Sequence, residues 1–136
     1  MDISVLKKEN FEVWVPFGDD AKVLIAHVSR ETLQKIAKKA TKTTYVNHQK
    51  AEAFDPAEGD KLLGRLAIKN WEGFSEDGQP FPYTPENADL LMRKWGAFAR
   101  FVNEACADVE TLVKYDLEQV AKNSPITSGQ DSTTRV

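Results

Sequence analysis

From Trp95 onward, apolar residues recur at helical spacing without interruption: Trp95, Phe98, Val102, Ala105, Cys106, Val109, Leu112, Val113, Leu117 and Val120. No other pattern in the chain restricts the fold as strongly. The spacing predicts one long helix ending near Asn123, and about 28 residues at a rise of about 1.5 Å would carry it about 40 Å. A compact domain of this size does not need a helix of that length. Phe101 and Tyr115 fall off the main stripe, which leaves a second apolar surface for a partner helix.

At 136 residues with 41% hydrophobic content, the chain suits one domain with a modest core. Its N-terminal half opens on "FEVWVPF", then "GDD", then "AKVLIAHVS": two β-prone runs around a turn, a hairpin signal. Ser29 can cap a short helix whose Leu33, Ile36, Ala37 and Ala40 turn inward while its lysines turn elsewhere. Residues 43–54 are polar and β-branched without a clear period, and are read as a flexible connector. "DPAE" at Asp55 opens another helix, expected to close between Asn70 and Gly73, with Trp71 folded back on its last turn. Thr84 and Pro85 then offer a cap and a first helical position for the next.

The expected fold class is α+β, predominantly α-helical: an N-terminal β-hairpin followed by three to four helices, the last one long. Residues 1–123 form a single domain, divided into the hairpin (1–29), the short helix and connector (30–54) and the helical part (55–123). Residues 124–136, opening "SPITSGQ", are expected to be a flexible tail. No run of about 18 apolar residues is present, and the N-terminus lacks the basic-then-apolar order of a signal peptide, so an intracellular protein without a membrane partner is expected.

Searches for chemistry return little. His27 and His48 stand apart from other ligand types, and Cys106 sits on the helical stripe with no motif around it. "GDKLLGR" has the glycine spacing of a phosphate loop, but Arg65 and Leu66 replace its Lys and Ser/Thr. "SEDG" lacks the alternating oxygen ligands and closing glutamate of a calcium loop. No catalytic residue, cofactor or metal is therefore assigned, and a non-enzymatic role is expected.

Net charge is only -3, yet it is unevenly spread: residues 30–50 hold six basic side chains against one acidic, and residues 51–90 hold nine acidic against three basic. The asymmetry suits nucleic acid, an acidic partner, head-to-tail contact between copies, or simply solvated faces of opposite sign. A pI near 5.4 and the lack of a recognition motif weigh against nucleic acid.

Residues 68–91, "IKNWEGFSEDGQPFPYTPENADLL", crowd aromatics, glycines and prolines between expected helices. Gly73 and Gly78 relieve turns; Pro80 and Pro82 fix extended backbone that delivers Thr84 to the next helix start. Trp71, Phe74, Phe81 and Tyr83 form a candidate cluster, either pinning the loop to the core or contacting a partner; Trp95, Phe101 and Tyr115 are further interaction candidates.

The order "WEGF", "SEDG", "QPFPYTPEN", "ADLL", with a closing "AKNS", resembles the tail assembly chaperones of long-tailed bacteriophages and prophages. Members of that family commonly carry a Trp-Glu-Gly, an Asp-Gly turn, a Pro-aromatic-Ser/Thr segment and a terminal Lys-Asn. The resemblance implies a non-catalytic homo-oligomer in the bacterial host cytoplasm that coats the tape measure protein and yields to the tail tube protein. A longer frameshifted product recruits the tube subunit in that family, and the chaperone is absent from the mature virion. A small adaptor or neck protein of the virion is the alternative.

Overall fold

The computed structural model describes residues 3–7 and 11–123. After a single 3₁₀ turn at Ser4–Lys7 come β1 (Glu12–Phe17), β2 (Ala21–Ala26), α1 (Arg30–Lys39), β3 (Thr41–Val46) and β4 (Gln49–Phe54). Then follow α2 (Pro56–Ala67), β5 (Ile68–Glu72), β6 (Ser75–Glu76), β7 (Gln79–Pro80), α3 (Pro85–Lys94), α4 (Gly96–Ala107) and α5 (Val109–Asn123).

β1, β2 and β5 form an antiparallel sheet with β2 in the centre, while β3–β4 and β6–β7 are separate hairpins. Alternation explains the main sheet. Val13 faces Ile25 across β1–β2, and Val15, Val23 and Trp71 line up across all three strands; all are buried beneath the helices. Trp14 and Pro16 turn to the opposite face. Leu63 and Ala67 of α2, Ala88 and Met92 of α3, and Phe98, Val102 and Cys106 of α4 complete the core. Caps match local chemistry: Ser29 Oγ accepts from Thr32 N, Asp55 from Ala57 N and Glu58 N, and Thr84 Oγ1 from Asn87 N.

The expected fold class is corrected. Among the described residues, 52% are helical and 29% lie in strands of three small antiparallel sheets, so this is a mixed α+β fold and not a hairpin followed by helices. The terminal stripe is not one long helix either: it breaks at Asp108 (φ -90, ψ 86), which ends α4 and begins α5. The break has a tertiary cause as well as a local one. Cys106 O, at the end of α4, accepts Val28 N at 3.0 Å, and Asp108 Oδ1 accepts Thr111 N at 3.1 Å, starting a new helix with its own cap.

Two further expectations change. Residues 43–54 belong to the β3–β4 hairpin, closed by Asn47 and His48 at φ 51 and 64. That pair of positive φ values is the two-residue turn that matches strand twist, here without a glycine. And α2 stops at Ala67, so Trp71 lies in a strand instead of at a helix end. The expected tail at 124–136 lies outside the described residues.

Candidate functional site

The segment after α2 folds back on itself in three steps. β5 pairs with β2, then Gly73 at φ +91 reverses the chain against the β1–β2 turn. A Cβ there would lie 2.8 Å from Ala21 Cα and would also meet Asp20 O, so this position admits no side chain. Asp77 and Gly78, at φ 51 and 81, turn β6 into β7 with open space around Gly78. Phe81 N then donates to Phe74 O at 2.9 Å, closing the loop on itself.

These turns gather the aromatic side chains. The Trp71 ring stacks on Phe81 (5.8 Å, 9° between planes) and meets the edges of Phe74 and Tyr83, both at 5.2 Å. Trp71 Nε1 donates to Phe81 O at 2.8 Å, and Tyr83 Oη donates to Ile68 O at 2.9 Å. Burial raises the Tyr83 phenol above its ordinary pKa, and the Asp89 and Glu86 charges push the same way. Asn87 Nδ2 donates to Pro82 O at 2.9 Å, so the capped start of α3 is tied to the turn that precedes it.

Phe17 and Phe98 extend the cluster. Phe17 contacts Phe74, Trp95, Phe98 and Phe101, with centroids between 4.8 and 6.0 Å. Trp95 stacks on Phe98 (5.9 Å, 18°) and remains 41% exposed at the helix junction. Of the sequence-derived candidates, Trp71, Phe74, Phe81, Tyr83, Trp95 and Phe101 therefore meet in one aromatic body. Gly73, Gly78 and Thr84 shape its turns and its exit. Tyr115 does not join it. Neither Phe17 nor Phe98 stood out as a candidate from the sequence, because each reads as an ordinary inward position of its strand or helix.

Tyr115 lies instead in a groove between β1 and α5, lined by Trp14, Pro16, Lys22, Glu118, Gln119 and Ala121. Gln119 Nε2 donates to Trp14 O at 2.7 Å, and Lys22 Nζ sits 4.8 Å over the Trp14 ring. Leu117 and Val120 on the same helix are 62% and 61% exposed. Trp14, Pro16, Tyr115 and Ala121 give the groove an apolar lining, Lys22 and Glu118 add charge of both signs, and the helix that forms one wall carries Leu117 and Val120 exposed outside that lining.

Among the described residues, no group of three or more His, Cys, Asp or Glu could hold a metal ion, and no helix is long and apolar enough to cross a membrane. Cys106 is buried in the core, and burial pushes its thiol up to about 11. Residues 18–123 match the family model described as YdaY prophage protein. The chain belongs to the YdaY prophage protein family. In this YdaY-family protein the matched region runs from the β1–β2 turn to the end of α5. It includes the folded-back aromatic segment and the α5 wall of the groove, but not β1. No curated protein and no solved structure gives a significant match.

Proposed function

We propose that this protein is a non-catalytic tail assembly chaperone: it self-associates, coats the tape measure protein in the host cytoplasm, promotes tail tube polymerisation and leaves before the virion is complete. One observation carries the reading. The groove between β1 and α5 offers Trp14, Pro16, Tyr115 and Ala121, and the same helix leaves Leu117 and Val120 bare outside that lining, so α5 presents apolar side chains suited to an amphipathic helix both in the groove and beyond it. A tape measure is a long helical chain whose apolar faces would aggregate if left bare, and many small subunits with such a groove would cover it.

Prophage origin agrees with that role. So does the rigid aromatic body, which holds α3 and α4 at a fixed angle to the sheet and so fixes the surface that meets a partner. The tail tube protein would be recruited through a longer, frameshifted form of the chain.

Co-expression with a candidate tape measure protein, a long coiled-coil chain of the same prophage, tests the proposal. Wild type is expected to raise its soluble fraction, and Leu117→Ser/Val120→Ser to lose that effect without a change in melting temperature. Equal insolubility with and without the protein would overturn the reading. Detection of stoichiometric amounts in finished particles by mass spectrometry would instead favour a permanent adaptor or neck protein.

A further inference from the structure

The β3–β4 hairpin stands away from the rest of the fold. Its ladder runs over six residue pairs, from Thr41–Phe54 to Val46–Gln49, yet only Thr41 and Ala51 are even partly buried. None of its residues belongs to the buried core among the described residues. An isolated two-stranded ribbon is marginally stable in water, and further strands are what make such a ribbon persist. Tyr45 and Phe54 are 74% and 53% exposed on one of its faces.

We propose that β4 joins two copies of this chain edge to edge, antiparallel about a twofold axis at Ala51, to make one four-stranded sheet. The proposal rests on the self-association part of the reading above and names its contact. Both strands are anchored where they meet the helices, Thr41 Oγ1 donating to Ala37 O at 2.7 Å and Phe54 lying against Gly59. What distinguishes the β4 edge is the opposite charges it carries at Lys50 and Glu52. The β4 edge has the right hydrogen-bonding phase. In a two-residue hairpin the pair flanking the turn, here Val46 and Gln49, exchanges both backbone bonds, and the pattern alternates from there. The N–H and C=O of Lys50 and Glu52 therefore point to the open edge, not to β3.

Charge selects the register. With Ala51 opposite Ala51 of the other copy, each Lys50 faces a Glu52 and the outward backbone groups of both residues pair. Moving the centre by one residue would set Lys50 against Lys50 or Glu52 against Glu52, which is unfavourable directly across strands. Lys50 and Glu52 are exposed and make no ion pair within the chain among the described residues, so both are available. A self-complementary pair of this kind, residue i on j and j on i, is what a twofold interface requires.

The test uses the full chain and sedimentation velocity over a concentration series, with circular dichroism to verify each fold. Lys50→Glu alone and Glu52→Lys alone are each expected to weaken association by roughly tenfold, since each puts like charges together twice across the axis. An equimolar mixture of the two variants should recover it as a heterodimer, and the double exchange Lys50→Glu/Glu52→Lys should recover it alone. Wild-type association in either single variant, or a mixture no tighter than its components, overturns the β4 contact while leaving self-association standing. A wild type that stays monomeric at high concentration overturns both. Failure to solubilise a tape measure chain, with the charge exchange behaving as expected, would sink the chaperone reading alone.

Discussion

Trp71 and Phe81 hold each other twice: the indole N–H donates to the Phe81 carbonyl at 2.8 Å, and the two rings stack 5.8 Å apart. Nine residues of chain lie between them, including two positive-φ glycines and the β6–β7 hairpin. The indole is 4% exposed, so the bond closes a loop whose backbone would otherwise be poorly held.

Trp71→Phe keeps the stack and removes the donor. It is expected to lower stability by about 1 to 3 kcal/mol, the cost of leaving a part-buried carbonyl unpaired. Trp71→Ala should cost about 3 to 5 kcal/mol, because the ring sits at the centre of the aromatic body. Urea denaturation of both variants measures the difference; a Trp71→Phe variant as stable as wild type would show that the hydrogen bond contributes nothing.

Gly73 and Gly78 both sit at positive φ but differ in space. Gly78→Ala carries only the conformational penalty, about 1 kcal/mol, since nothing lies within 4 Å of its Cβ position. Gly73→Ala adds a clash with Ala21 and Asp20 backbone, and should lower the melting temperature by at least twice as much. Parallel thermal melts of the two variants check the ranking.

Asp108 starts α5 by accepting from Thr111 N and from Thr111 Oγ1 at 2.6 Å. Those bonds hold its carboxyl below the usual range, as the backbone N–H of Glu58 does for Asp55. A depressed carboxylate pKa stabilises the fold above the unfolded-state value and loses that effect as pH falls through the folded-state value. Stability should therefore drop as pH falls below about 4, and Asp108→Ala should remove part of that dependence and about 0.5 to 2 kcal/mol at neutral pH. Denaturant midpoints across the acid range are the measurement.

Cys106 moves stability in the opposite direction. Its folded-state value near 11 exceeds the ordinary 9.0, so its contribution is intact below pH 9 and is lost as pH rises towards 11. At neutral pH the native thiol should resist alkylation that proceeds readily in denaturant. Rapid native labelling, followed by mass spectrometry, would contradict the buried placement.

Local chemistry was legible where one residue's own side chain or φ value decides the outcome. Ser29, Asp55 with Pro56, and Thr84 with Pro85 start helices because each cap acts within three residues. Asp77 and Gly78 turn the chain because they tolerate positive φ. The Asn47–His48 turn was harder to see: without glycine it carries a weaker signal, and the hairpin it closes has no buried face to impose a period of two.

Periodicity misled where it could not report its own interruption. Phe98, Val102, Ala105, Leu112 and Val113 keep helical spacing through Asp108, since both α4 and α5 pack on the same core and the stripe continues across their junction. Nothing local in "IKNWE" marks a strand either: Ile68 and Trp71 satisfy a helical spacing as well as a place beside β2. What the sequence by itself determined was where α1, α2 and α3 start and where the turns at residues 18–20 and at Asp77–Gly78 fall, because those depend on neighbours a few residues away. Only the tertiary structure decided that residues 68–72 join a sheet, that one helical stripe becomes two helices, and that six scattered aromatics meet around Phe17 and Phe98. Those outcomes depend on backbone partners such as Val28 for Cys106 and Ile25 for Ile68, which lie tens of residues away along the chain.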